Sequence, residues 1–499
     1  MRKRSSLSLL ALSVTATMLS AQPGTPDLSF GTDGHVLDVD KGEAKTLAVY
    51  PDGRIVTTLN SAGSTALYRF LADGSVDLSF GTAGAVTPLA VMPTKVLLQP
   101  DGRILVGGVL NGGVGGQDMA LARYLEHGTA DASFGIAGLA QVELPNYDYC
   151  NGMTLLNDGR ILLTGTWNIA DSPALLALFD PDGTLDPTFG TDGVLAWIPV
   201  AGSDFRAFDA AVQGDGGIVI TGLHAAQADD DFIARFTAEG NLDDTFNGTG
   251  MLYFDFGANT DDAVQVELDE QGRSIVLARS YDSGDFHSGS LARVNTNGTL
   301  DLTFGTNGSV PLNTASTGRV PSSFAIQADG KLVVTGATAS DMSAARELYV
   351  SRYSADGVLD SGFGNAGYSI LALPKKEMGN AIVATTDGKL VVAGRSHISG
   401  QTPVLLLARF WQDSGLPVAE TSSMDLQLFP VPCVDGLHVM LPERGAVRFT
   451  IADPQGRVAM RGTLTSGSQV IPVAGLAPGA YVLGLETTQG HVASRFLKQ

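Results

Sequence analysis

Leu185-Asp186-Pro187-Thr188-Phe189-Gly190-Thr191-Asp192-Gly193 reads as a tight turn, and the chain writes this turn seven times with variations. The phenylalanines of the seven copies are Phe30, Phe80, Phe134, Phe189, Phe246, Phe304 and Phe363, about 50 to 59 residues apart, each with Asp three before and Gly four after. A fixed period of this size marks a repeat architecture built from one supersecondary unit. A second anchor accompanies each turn: Asp52-Gly53, Asp101-Gly102, Asp158-Gly159, Asp215-Gly216, Gln271-Gly272, Asp329-Gly330 and Asp387-Gly388, flanked by apolar runs. Glycine accepts positive φ without steric cost, so these dipeptides predict two-residue hairpins. Strands such as Ile104-Leu105-Val106 and Ile218-Val219-Ile220 follow, apolar at consecutive positions and therefore expected to be covered on both faces. A third anchor closes the unit at Arg69-Phe70, Arg123-Tyr124, Arg235-Phe236, Arg293-Val294, Arg352-Tyr353 and Arg409-Phe410, with Leu178-Phe179 as the exception.

Between the anchors each repeat offers four strands of about five to seven residues and no sustained 3.6-residue apolar period. The fold class expected is all-β. A single four-stranded sheet cannot bury both faces alone, so the units must stack, and seven of them close into a seven-bladed β-propeller, with an open solenoid as the competing arrangement. The strand from Gly34 to Val39 has no blade of its own, whereas the last repeat stops after Phe410. The N-terminal strand is therefore expected to close the last blade, which removes open sheet edges. The repeated Phe is expected to plug the seam between blades. The Asp before it is expected to cap the turn and pair with the strand-end Arg.

These motifs together resemble the delta-60 repeat of bacterial surface and secreted proteins, over roughly residues 27 to 411, with Asn247 and Gln271 departing from the pattern. The resemblance implies a β-propeller scaffold and leaves the biochemical function open.

With 31 basic and 52 acidic side chains in 499 residues the net charge is −21, which opposes binding to nucleic acid and to anionic membranes. Residues 1–21, with Arg2-Lys3-Arg4, an apolar stretch from Leu7 to Leu19 and Ser20-Ala21, read as a signal peptide, and no transmembrane segment follows. The only cysteines are Cys150, read as lying in a propeller loop, and Cys433, and both are expected to be unpaired.

The period stops after Trp411. Residues 412–424 are polar and turn-prone, as a linker between the propeller (22–411) and a second domain (425–499) would be. Alternating segments Ala446 to Ile451, Val458 to Leu464, Gln469 to Val473, Ala480 to Leu485 and His491 to Leu497 predict a small Ig-like β-sandwich. Leu428-Phe429-Pro430-Val431-Pro432, Ile451 to Val458, Leu476 to Val482 and Arg495-Phe496-Leu497-Lys498-Gln499 together resemble the type A C-terminal sorting domain of the type IX (Por) secretion system of Bacteroidetes. That resemblance implies export through the periplasm to the medium or the outer-membrane surface, with the secretion machinery as the partner of residues 425–499.

Positions shared by all repeats serve the scaffold, so function is sought where copies differ. In an antiparallel meander the Asp-Gly and Asp-x-x-Phe connections share one uniform face. The opposite, irregular face is the candidate binding face. It carries Tyr147 and Tyr149, Trp167, Asp204 and Arg206, Asp230, Asp261 and Asp262, Tyr281, His287, and Arg319. Aromatics beside carboxylates and an arginine suit an extracellular glycan or a protein ligand, and the acidic groups offer oxygen ligands for Ca²⁺ without a diagnostic spacing. No catalytic residue, cofactor site or metal site is assigned. With seven His and no nucleophile–base pattern, non-catalytic binding or adhesion is favoured over a polysaccharide hydrolase or lyase acting at the central channel.

Overall fold

The computed structural model describes residues 22–38, 41–61, 64–87, 89–113, 116–225, 230–254, 260–282, 285–312, 318–339, 346–373, 375–397, 402–413, 428–429, 433–441, 447–452, 458–464, 467–477, 479–487 and 490–498. The signal-peptide reading and the greater part of the linker reading fall outside them.

Residues 23–413 form one compact unit of seven four-stranded antiparallel sheets. The first runs as a meander through Glu43–Val49, Ile55–Ser61, Ser64–Phe70 and Ala85–Val86. The innermost strands of the seven blades are Glu43–Val49, Met92–Leu98, Tyr147–Leu155, Asp204–Val212, Thr260–Leu268, Gly318–Ile326 and Lys376–Ala384. In the seventh sheet Lys376–Ala384, Lys389–His397 and Val404–Trp411 are joined by His35–Asp38, with His35 opposite Ala408 and Asp38 opposite Leu405. Glu43–Val49 packs against Lys376–Ala384, so blade 7 meets blade 1 and the molecule is a seven-bladed β-propeller.

Strand lengths depart from the expected five to seven residues. Outermost strands are as short as Ala85–Val86, whereas the inner hairpins extend to Ile104–Gly113, because the Asp-x-x-Phe turn cuts the outer pairing short. The Asp-Gly connections are also not two-residue turns. Tyr50 and Arg54 pair across the loop while Gly53 N–H donates to Tyr50 C=O at 2.9 Å, leaving a three-residue loop with Gly53 at φ +87°. Glycine supplies that left-handed position, as in the type I turn plus bulge common to three-residue hairpins.

Seven apolar clusters fill the seven seams, and each contains one of the repeated phenylalanines. Phe189 lies between Leu176 and Leu178 of blade 3 and Phe205, Ile220 and Phe232 of blade 4. Each ring also supports a turn of the next blade: a Cβ on Gly240 would lie 3.0 Å from Phe189, and Gly190 N–H donates to Glu239 C=O at 2.9 Å. The corresponding bond recurs at every seam, and at the last it runs from Gly364 N–H to Pro23 C=O at 2.7 Å.

In residues 414–499, a unit distinct from the propeller, the described strands form two antiparallel sheets. Gly436–Leu441 lies between Leu428–Phe429 and Gly467–Pro472, and the other sheet runs Val458–Leu464, Val447–Ala452, Gly479–Thr487, Gly490–Lys498. Leu437, Val439, Phe449, Ile451, Ile471, Leu483 and Phe496 from both sheets share one core with Cys433. Pro430 to Pro432 and residues 453–457 of the sorting-domain motifs lie outside the described residues.

Truncating Phe189 to Ala empties the centre of one seam, and the expected loss is roughly 3–5 kcal/mol. A lowered thermal midpoint in differential scanning calorimetry, with ligand binding unaltered, is the outcome that fits; an unchanged midpoint contradicts the seam role.

Candidate functional site

Every innermost strand carries a β-bulge at the same place, skipping Lys45, Thr94, Asn151, Phe208, Val264, Ser322 and Asn380. Bulges re-aim side chains and end regular pairing. They also put equivalent positions of the seven blades in register. Two residues before the bulge, towards the irregular face, stand Glu43, Met92, Tyr149, Arg206, Asp262, Val320 and Met378. One residue after it, deeper along the channel, stand Thr46, Lys95, Gly152, Asp209, Gln265, Ser323 and Ala381. Neither ring repeats a chemical theme, in contrast to the seams.

The upper ring brings together Tyr149, Arg206 and Asp262 on three consecutive blades, whose innermost strands pack side by side. Tyr147 and Tyr149 alternate with buried Asp148 and stay 45% and 37% exposed, so both rings are offered to solvent. The Trp167 indole N–H donates to Pro145 C=O at 2.7 Å, and the Asp204 carboxylate accepts Ser172 N–H at 2.8 Å. Two expected surface residues are instead buried. Asp261 is enclosed, and the Arg319 guanidinium lies 3.8 Å from the Tyr368 ring centroid, inside the blades. The side chains of Asp230, Tyr281 and His287 fall outside the described residues, as does Asp229. Cys150 is in the innermost strand of blade 3 and not in a loop; both cysteines are free and buried, and burial pushes the Cys150 thiol up to about 12.

Side chains at the bulge and just beyond it have a structural task. An innermost strand has no strand partner on its channel side, and side chains of the preceding blade serve that edge. Asn380 donates to Ala44 C=O at 2.8 Å, Asn151 to Ala207 C=O at 2.9 Å, and Gln265 both donates to and accepts from Phe324 at 2.9 and 3.0 Å. Asp209 accepts Val266 N–H at 3.2 Å and Glu267 accepts Ile326 N–H at 3.1 Å. Burial raises the Asp209 carboxyl above its ordinary range, opposed by Lys95. Burial, with a contribution from the Asp209 charge, pushes Glu267 up to about 7 against the pull of Ile326 N–H and Lys95.

Asp209 and Glu267 are thus two carboxyls of raised proton affinity on adjacent blades within the electrostatic reach of Lys95, a set that the sequence reading did not nominate. The available signal for Lys95 and Asp209 was a column: residues six before each hairpin Asp or its Gln271 equivalent are Thr46, Lys95, Gly152, Asp209, Gln265, Ser323 and Ala381, polar or small inside apolar strands, and Glu267 lies outside it. Among the described residues no group of three or more His, Cys, Asp or Glu could hold a metal ion.

Six segments, 51–80, 99–134, 156–189, 213–246, 274–304 and 327–363, match the family described as "Domain of unknown function (DUF5122) beta-propeller". The chain is a β-propeller repeat protein. Each matched segment of the propeller ends on the seam phenylalanine of its turn. No curated protein matches the chain. Solved structures similar to this propeller include a catalytically inactive virginiamycin B lyase from Staphylococcus aureus with quinupristin, at TM-score 0.44 and 11% identity over 75% of this chain and 99% of that one. An ulvan lyase of a polysaccharide lyase family is similar at TM-score 0.43 and 12% identity, over 75% of this chain and 94% of that one. Such distant likeness carries no argument about activity.

The raised Glu267 carboxyl has a pH signature. The folded state holds this proton more tightly than the unfolded chain, so its contribution to stability is present below the ordinary Glu range and is lost as pH rises through about 7. Glu267→Gln keeps an acceptor for Ile326 N–H and removes the titration. The variant is expected to melt above the wild type at pH about 8 and to converge with it at pH about 4. An equal difference at both pH values in thermal melts contradicts the assignment.

Proposed function

We propose that this protein is an exported, non-catalytic binding or adhesion protein whose propeller presents an extracellular glycan or protein ligand to the irregular face. The observation that carries this reading is the contrast between seams and rim. The seams repeat one chemistry, while Tyr147, Tyr149, Arg206 and Asp262 make the channel mouth of blades 3 to 5 individual. Two exposed tyrosines two residues apart on one strand make a flat stacking surface for the C–H face of a sugar ring, and Asp204, Arg206 and Asp262 bring hydroxyl-bonding groups to the same mouth. Tyr147→Ala with Tyr149→Ala is expected to weaken glycan-array binding at least about tenfold without changing the thermal midpoint. Retained binding contradicts the rim assignment.

The alternative is a polysaccharide hydrolase or lyase working in the channel. Its support is the pair Asp209 and Glu267, two carboxyls with raised affinity for protons that feel the charge of Lys95. Both carboxylates already serve a backbone N–H of the next blade, which favours the binding reading.

Export follows the sorting-domain resemblance of residues 425–499, supported by two small sheets around a shared core in that segment, in keeping with an Ig-like sandwich. Deleting residues 425–499 is expected to leave the propeller in the periplasm; cell fractionation showing undiminished delivery to the surface or medium refutes this route. The N-terminal segment is read as the clasp of the ring, supported by the pairing of His35–Asp38 with Val404–Trp411. Removing residues 22–38 uncovers that strand's edge and is expected to lower the midpoint and promote self-association in light scattering.

A further inference from the structure

Between blades 6 and 7, on the irregular face, lies a cavity of about 230 Å³ lined by Arg346, Lys376, Glu377, Met378, Arg395, His397 and Pro403. Three of the seven are Arg or Lys, in a chain whose net charge is −21. A concentration of cations so contrary to the composition is not a consequence of an average surface. The acidic neighbours Glu43, Glu347 and Glu377 offset part of it. Glu43 is shared between Arg395, at 2.9 Å, and Lys45. Glu377, fully buried at the floor, accepts from Ser396 Oγ at 3.0 Å, while burial and the nearby Glu347 shift it towards its neutral form. Lys376 has no ion-pair partner among the described residues, although it is half-buried on the cavity wall. Glu377 N–H donates to Arg346 C=O at 2.9 Å, which ties the Arg346 wall to the innermost strand of blade 7.

We infer that this cavity is an anion subsite for a sugar residue bearing a carboxylate or a sulfate, with Arg346, Lys376 and Arg395 facing the charge and Met378 and Pro403 packing against the ring. The inference rests on the glycan reading of the irregular face and adds a charged subsite three blades from the tyrosines. A guanidinium pairs with planar carboxylate and with sulfate oxygens through two parallel bonds, and a lysine adds a point charge. The volume suits one pyranose ring with its charge attached directly to it, and the apolar wall suits the ring's C–H face. An acidic peptide would instead bring its carboxylates on flexible stems, leaving Met378 and Pro403 without a complementary surface.

Titration calorimetry on the full-length protein tests this with trigalacturonate, with a sulfate-ester trisaccharide and with uncharged maltotriose. The wild type is expected to bind at least one charged trisaccharide about tenfold or more tighter than maltotriose, and the better of the two identifies the anion. Raising NaCl from about 50 to about 500 mM is expected to remove that preference. Arg346→Glu with Lys376→Glu is expected to abolish it, and the milder Lys376→Gln to reduce it should the double variant fold poorly. Tyr147→Ala with Tyr149→Ala should lower affinity for all three sugars while preserving the ratio. If charged and uncharged sugars bind alike, or the ratio survives both cavity variants, the anion subsite is wrong while the glycan reading stands. If no sugar binds, both fall; hexaglutamate binding that the cavity variants abolish would replace the sugar with an acidic peptide.

Discussion

The interaction on which the propeller depends is the seam knot of Arg, Asp and Phe. At the seam between blades 1 and 2, the Arg69 Nε–H donates to Asp77 at 2.7 Å, its guanidinium stacks 4.7 Å from the Phe80 ring centroid, and Nη1 donates to the Glu126 carbonyl of the next blade. Asp77 meanwhile accepts the N–H and hydroxyl of Ser79, fixing the turn that carries Phe80. Burial works against ionisation of Asp77, but Ser79 and Arg69 outweigh it and hold the carboxyl below its usual range. A buried guanidinium is costly unless its donors are met. Here they are met by one carboxylate, one hydroxyl and one carbonyl while the Phe80 ring covers the guanidinium plane, so the charge binds turn, seam and neighbouring blade at once.

Two repeats show how the knot tolerates change. In blade 3 Leu178 replaces the strand-end arginine, and Arg160 of the hairpin reaches Asp186 at 2.8 Å instead. In blade 4 Gly217 stands where other hairpins have Arg or Lys, and Arg235 takes the vacated space, since a Cβ on Gly217 would lie 2.4 Å from its guanidinium. Arg235 then ion-pairs with both Asp215 and Asp243. Asp27, Asp131 and Asp301 pair with cations from both the hairpin and the strand end, whereas among the described residues Asp186 keeps only the hairpin's and Asp243 only the strand end's, so either source can serve the turn.

This division of labour separates scaffold from rim. Because the seams hold the blades through repeated contacts, the ends of the innermost strands at the channel mouth are largely released from structural duty, Asp204 and Glu43 excepted, and can vary from blade to blade. Deeper in the channel they are not released: Asn151, Asp209, Gln265, Glu267 and Asn380 differ in chemistry yet share the task of meeting an unpaired strand edge. Sequence variety in the channel is thus partly structural, and variety at the mouth is less so.

The sequence by itself determined the all-β class, the seven units and the identity of the seam residues, because a motif copied seven times at a fixed spacing reports a local geometry that each copy must satisfy. It did not reveal that Arg160 replaces a missing partner, that Asp261 and Arg319 point into the blades, or that Asp209 and Glu267 serve backbone N–H groups of the next blade. Those facts depend on the rotation that brings residues from different blades around one axis and on the bulge that shifts side-chain direction by one residue within a strand. Periodicity along a chain records what is repeated. Contacts between blades join positions that are unlike one another and far apart in sequence, so only the closed ring decides them.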